Sequence, residues 1–156
     1  MSSATVLKEK ANISTSKHLI LCILTGGFFS LMWLYRLLPE FNRITNSKIS
    51  SDGILYFSAI SAWFTWVFIP KSINFDNIII TLVLLLIALL ISSIYFALIT
   101  ILVFQMRAAL QEYAKKEFSI ELKINPIYTF LFIFFHINYC INDLAKQVEL
   151  KDLSEK

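Results

Sequence analysis

Four apolar runs, Leu19 to Tyr35, Ile54 to Ile69, Ile78 to Phe104 and Ile127 to Ile141, contain none of the 25 charged residues of this chain. The runs hold 17, 16, 27 and 15 residues, 75 of 156 in all. A helix in water keeps a polar face and therefore places a charge about once per turn. Exclusion this complete removes the wet face, so the sequence predicts a chain solvated by lipid. In hydrocarbon each backbone N–H and C=O must be satisfied within its own segment, and a run of this length does so only as a helix. The expected fold is all-α: an integral membrane protein built as a small bundle of four hydrophobic helices. With 57% hydrophobic residues and only three Gly and three Pro, a soluble, fibrous or disordered chain is excluded.

The expected organisation is a polar N-terminal tail over 1–18, a membrane helical domain over 19–142 and a polar C-terminal tail over 143–156. Amphipathic elbows are expected at 36–48 and 106–118 within the domain. At 1.5 Å per residue a hydrocarbon core of about 30 Å needs about twenty residues. The third run exceeds that, and the second reaches it if Trp63, Trp66 and a snorkelling Lys71 extend it into the interface. Runs two and three are therefore predicted to span. Run one is interrupted by Gly26-Gly27 and run four carries His136 and Asn138, so each either spans or turns back. No small-residue cleavage site follows run one, which reads as an uncleaved anchor.

Charge tests the crossings. If all four runs cross, Lys and Arg divide seven against seven between the two sides, and the positive-inside rule orients nothing. If only runs two and three cross, the division is thirteen against one, with Lys71 alone on its side. Four crossings is the expectation, and the two-crossing arrangement stays open beside it. A weak internal repeat pairs the elbows: Trp33-Leu-Tyr-Arg36 leading to Glu40-Phe41, and Phe104-Gln-Met-Arg107 leading to Glu112-Tyr113, both reading aromatic, Arg, acid, aromatic. Pro39 is expected to break the continuation of run one, leaving 39–44 as a separate interfacial turn. Over 106–118 the spacing predicts Met106, Leu110, Tyr113 and Ala114 on one face and a Glu112–Lys116 pair on the other.

The stretch Thr25-Gly26-Gly27-Phe28-Phe29-Ser30-Leu31-Met32-Trp33-Leu34-Tyr35-Arg36 resembles the signature of a domain-of-unknown-function family of small bacterial multi-span membrane proteins. In that family a Thr-x-Gly-aromatic stretch runs into Trp-x-Tyr-Arg. Here Gly26 is an extra small residue, and Phe29 stands where Tyr is common. The resemblance covers run one and its elbow, and the later runs only in outline. It implies the bacterial cytoplasmic (inner) membrane and transfers no catalytic residue.

Few residues can carry chemistry. His136 is the only strongly polar titratable group well inside a run, and ionisable groups at such depth are functional suspects. With Arg36 and Arg107 it completes the candidate functional polar set; its bland reading is a neutral imidazole bonded to a nearby hydroxyl or carbonyl. His18, at the mouth of run one, would approach His136 if the termini share a side, but no haem-pocket signature accompanies the pair. Cys22 and Cys140 lie at similar depth and read as buried free thiols or as a pair. No metal-ligand spacing, nucleophile with base, paired acid or phosphate cradle is present, so no catalytic residue, cofactor or metal is expected. Small residues recur four apart, as Gly26/Ser30, Ser58/Ala62, Ala88/Ser92 and Ser93/Ala97, a spacing that lets helix backbones approach in lipid.

The expected partners are therefore the bilayer, with anionic headgroups at the basic elbows, and a protein or a second copy at the small-residue faces. Nucleic acid is not among them. The leading expectation is a non-enzymatic protein that binds another membrane component, as an accessory subunit or as an immunity or inhibitor protein. A homo-oligomeric channel or lipid-perturbing protein is the alternative, and a lipid-modifying enzyme is disfavoured.

Overall fold

The computed structural model describes residues 3–11, 13–49, 52–64 and 78–154, and every regular element among them is helical. In chain order these are α1 (Ser3–Ala11), α2 (Thr15–Leu24), α3 (Phe28–Thr45), α4 (Asp52–Trp63), α5 (Ile78–Phe118) and α6 (Pro126–Ser154). The chain forms two compact units: Met1–Ile49 with Leu102–Lys156, and Ser50–Ile101. Two helices are long and apolar enough to cross a membrane, Ile78–Phe118 and the Pro126–Lys151 part of α6. The expected end of run two, with Thr65, Trp66 and Lys71, lies outside the described residues.

Run one is not a single helix. α2 ends at Leu24, and the chain turns through Gly26 (φ 58°) and Gly27 (φ 92°) before α3 begins. Left-handed φ carries no Cβ penalty at glycine, which makes the pair a natural helix stop. Thr25 joins the two ends: its hydroxyl donates to Leu21 O at 2.7 Å and accepts from Phe29 N at 2.9 Å. The reversal is proved further along. His18 Nε2 lies 3.1 Å from Ser30 Oγ, although twelve residues of continuous helix would separate them by about 18 Å.

α3 then runs straight through Pro39, against the expected break. Proline removes one backbone hydrogen bond, but Trp33, Leu34, Leu37, Leu38 and Phe41 bury a continuous stripe on both sides of it, and that burial outweighs the loss. Asn46 (φ 52°) ends the helix, and Asn42 holds the following turn, donating to Ile49 O at 3.0 Å and accepting from Ser47 Oγ at 2.8 Å.

The expected polar tails are also helical. α1 buries Ala4, Leu7 and Ala11, a one-sided stripe that packs on α3 and α6. A helix of nine residues is marginal in water, so docking rather than propensity holds it. α6 continues to Ser154 and buries Ile137, Ile141, Leu144, Ala145 and Val148 along its inner face.

At 1.5 Å per residue the 41 residues of α5 are about 61 Å long. From Ile78 to Ile101 the helix is largely exposed apolar surface, with Ile78, Ile79 and Ile80 bare on different sides. In its last turns, Leu102, Val103, Met106, Leu110, Tyr113 and Ala114 are buried. Lys116 Nζ meets Glu112 Oε1 at 2.6 Å on the outer side, the two faces that the residue spacing predicts. Beyond Phe118 the chain doubles back along this helix. Gln111 Nε2 donates to Leu122 O at 2.9 Å, and Arg107 donates through Nε and Nη2 to Ile124 O at 3.0 and 2.8 Å.

Four successive crossings would put the N-terminal segment and the 36–48 elbow on opposite sides, and likewise the C-terminal segment and the 106–118 elbow. The structure puts each pair together. Trp33 Nε1 donates to Ala11 O at 3.0 Å, Lys10 Nζ lies 4.0 Å from Glu40 Oε1, and Lys151 Nζ donates to Phe118 O at 2.8 Å. Runs one and four both bend inside their own length.

The burial pattern sets two expected outcomes for thermal unfolding in detergent. Leu110→Ala lowers stability by about 2–5 kcal/mol, whereas Leu86→Ala, which empties no packed site, leaves the midpoint unchanged. Gly27→Ala costs about 1–2 kcal/mol although nothing would touch the new Cβ, because the strain lies in its φ. Equal midpoints for Leu110→Ala and Leu86→Ala would contradict the assigned core.

Candidate functional site

The most concentrated polar chemistry in the first unit lies where α2, α3 and α6 meet, and its centre is His18. Its side chain is fully buried. The imidazole sits against three rings: Phe29 at 5.4 Å, Trp33 at 4.7 Å and Phe135 at 5.1 Å between centroids. Nε2 has Ser30 Oγ as its partner, while Nδ1 has none among the described residues. Loss of hydration disfavours the charged imidazolium, and the histidine pKa falls from 6.5 to about 4. His18 is therefore neutral at pH 7.

Each wall follows from local sequence. Gly26-Gly27 folds α3 back so that Phe29, Ser30 and Trp33, one turn apart, line up against α2. Trp33 also reaches past His18 to Ala11 O, fixing the chain that enters α2. That entry is held from the other side by α6: Asn138 Nδ2 donates to Ile13 O at 3.2 Å, and Asn142 Nδ2 reaches the same oxygen at 3.5 Å. Asn138 is itself fully buried. A buried carbonyl left unpaired costs about 1–3 kcal/mol, so these side chains specify the path between α1 and α2.

His136 lies near this cluster but outside it. Its Nδ1 is 3.0 Å from Thr129 Oγ1, and its ring stacks on Tyr139 with centroids 6.5 Å apart and an interplanar angle of 6°. Seven residues of straight helix would separate Thr129 and His136 by about 10 Å, so the axis of α6 bends sharply between them. The bend is at Ile133, whose φ of 41° and ψ of −111° are non-helical. Positive φ is rare for a β-branched residue, and such strain persists only where packing imposes it.

The bend opens a groove of about 410 Å³ beside α2. Tyr128 and Phe132 line it from before the bend and Phe135, His136 and Tyr139 from after it, with Leu19 opposite and Thr15 and Ser16 at the mouth. It is an apolar slot with hydroxyls at one end. On the far side of the same turn, a more polar cavity of about 500 Å³ includes Lys8, Glu9, Ser14, Lys17 and Asn142 in its wall.

The other sequence-selected residues divide by role. Arg107 is structural, gripping Ile124 O with its guanidinium 5.9 Å from the Phe104 ring centroid. Arg36 is exposed. Gly26 belongs to the turn and Ser30 to the histidine box, so that pair serves the reversal rather than close helix packing. Ser58 is buried and donates to Ile54 O at 2.6 Å, while the Ala62 side chain lies outside the described residues. Ala88 and Ser92 are half-buried, and Ser93 and Ala97 are exposed on α5. Cys22 and Cys140 are both free. Among the described residues no three His, Cys, Asp or Glu side chains converge on a point that could hold a metal ion.

The comparisons add no relative: no family model, curated protein or solved structure matches the chain. The resemblance of Thr25 to Arg36 to a small bacterial membrane family therefore stays a proposal.

Sequence reasoning ranked His136 above His18 because depth within a run was the criterion. The missed signal was available: His18 is twelve residues from Ser30 across a Gly-Gly pair that can reverse the chain. Trp33→Phe keeps an aromatic ring beside His18 while deleting the indole donor and part of the ring volume. Its expected cost is about 1–3 kcal/mol in thermal unfolding, together with faster tryptic cleavage at Lys10 and Lys17 as the α1–α2 connection loosens. Unchanged stability and cleavage would remove the Ala11 bond from the account.

Proposed function

We propose that this chain is a non-enzymatic integral membrane protein that acts by binding another membrane component, as an accessory subunit or as an immunity or inhibitor protein. The observation that carries the reading is the first half of α5, whose apolar side chains from Ile78 to Ile101 are exposed on several sides. Surface of this kind is stable only against lipid or the apolar helix of a partner. Ala88/Ser92 and Ser93/Ala97 give that surface two places where another helix backbone can come close.

In the proposed arrangement only runs two and three cross. The α2–α3 hairpin and the bent start of α6 enter one leaflet and turn back, with Leu24, Met32, Leu131 and Phe132 facing lipid. Supporting this are the contacts that join Lys10 to Glu40 and Lys151 to Phe118, and the resulting charge division. Thirteen of the fourteen Lys and Arg then lie on one side, the distribution expected of a cytoplasmic face. The basic elbows on that side meet anionic headgroups. A bacterial inner membrane is the location that the family resemblance implies.

A homo-oligomeric channel is the second reading, favoured by the same exposed helix. The hydroxyls available to line a pore weigh against it, since Ser93 donates to Leu89 O and Thr100 to Phe96 O within their own helix.

Two measurements test the proposal. Single cysteines placed by Ser2→Cys, Ser51→Cys, Ser72→Cys and Lys156→Cys, in a background lacking Cys22 and Cys140, are labelled with a membrane-impermeant maleimide. Ser2→Cys, Ser51→Cys and Lys156→Cys are expected to react from one side and Ser72→Cys from the other; labelling of Ser51→Cys opposite Ser2→Cys would reject the two-crossing arrangement. Purification at native abundance is expected to retain one stoichiometric membrane protein, with partner-free protein silent in liposomes. Ion flux through liposomes holding this chain alone would transfer the assignment to the channel.

A further inference from the structure

We propose that α2 is an acid-released element, held against α3 and α6 by neutral His18 and freed when that imidazole takes a proton. The inference does not depend on what the protein binds.

Three features of geometry carry it. The box around His18 is closed by aromatic rings from two elements, Phe29 and Trp33 on α3 and Phe135 on α6, so one side chain of α2 ties that helix to both. The box gives a cation little to hold: its polar partner is the Ser30 hydroxyl, and the buried Nδ1 has no acceptor among the described residues, so only cation–π contact with the rings offsets the lost hydration. The third feature is a hinge. Gly26 and Gly27 both take positive φ with no atom within 4 Å of where a Cβ would stand, so the turn can change its angle without steric conflict.

Among the described residues no charged group compensates from any packed element. α3 presents Ser30, Phe29 and Trp33, and α6 presents Phe135. Of the neighbouring titratable groups, Lys17 lines the cavity beside α1 and His136 is bonded to Thr129. The indole N–H of Trp33 is committed to Ala11 O on the α1 side.

The sign follows from burial. The histidine pKa of about 4 in the box lies below the 6.5 of a hydrated imidazole, so docked α2 binds fewer protons than released α2. Docking is strongest above pH 6.5 and weakens as pH falls towards 4. Across pH 7 to 5 the shift corresponds to roughly a twentyfold fall in the docking equilibrium constant. Released, α2 would move Leu19, Ile23 and Leu24 as one apolar wedge and uncover the wall of the groove beside α6.

The test uses the full chain in nanodiscs, with spin labels on Ile23→Cys and Tyr139→Cys in a background lacking the native cysteines. Distances between them are measured at pH 7.5 and pH 4.5. The expected result is one short distance at pH 7.5 and a longer, broader distribution at pH 4.5. His18→Phe fills the box with a ring that cannot be protonated and is expected to stay short at both values. If His18→Phe does not fold, His18→Leu serves the same purpose, and the imidazole of the native chain is titrated by NMR, with His136→Gln assigning the signals. An unchanged distance in the native chain, the same lengthening in the non-ionisable variants, or a His18 titration near 6.5 would each overturn the proposal.

Discussion

Twelve residues separate His18 from Ser30, and the bond between them exists because the backbone takes left-handed φ at two successive positions. That reversal is the constraint from which the rest of the first unit follows. It converts a 17-residue apolar run, almost long enough to cross a bilayer, into two shorter helices whose polar ends share a side. Once α3 returns beside α2, Trp33 stands where its indole can reach Ala11 O, α1 is drawn against α3 and α6, and Lys10 comes within reach of Glu40. The surface ion pairs are consequences rather than causes, since exposed pairs of this kind contribute about 0–1 kcal/mol each. Buried carbonyls that must be bonded, and apolar stripes that must be covered, supply the specificity.

The connection between α1 and α2 illustrates the division of labour. Ala11 O and Ile13 O have no helical partner, and each is met by a side chain from a different element, Trp33 on α3 and Asn138 with Asn142 on α6. Three elements are thus fixed relative to a few residues of irregular backbone. Among the described residues the neighbouring imidazole has its second nitrogen, Nδ1, left without a partner, which separates it from the bonded amides around it.

The helical class, the long third run and the amphipathic face of 106–118 were legible in the sequence because each is a periodic or compositional property of one segment. Met106, Leu110, Tyr113 and Ala114 lie one or two turns apart, so their common face needs no knowledge of what covers them. The failures concern relations between segments. Pro39 reads locally as a break, but the stripe from Trp33 to Phe41 is continuous in space and keeps the helix intact. α1 carries too few apolar residues to signal a helix alone, and its buried face appears only when α3 and α6 supply the other half. His18 looked like a boundary residue beside Lys17; its burial depends on Phe135, more than a hundred residues later.

Runs one and four answer the same demand in two chemical ways. Each changes direction partway along its apolar length. Run one turns at glycines, which adopt positive φ without penalty and leave a hinge that can open. Run four bends at Ile133, a β-branched residue in a disfavoured conformation, and the penalty is met by packing: Thr129 bonds His136 across the bend, and Tyr139 stacks on the same imidazole. A strained residue locked by its neighbours makes a fixed wall, whereas an unstrained glycine pair makes a movable one. The groove between them therefore has one rigid side, on α6, and one side, at Leu19 on α2, whose position is set by the protonation of a single histidine.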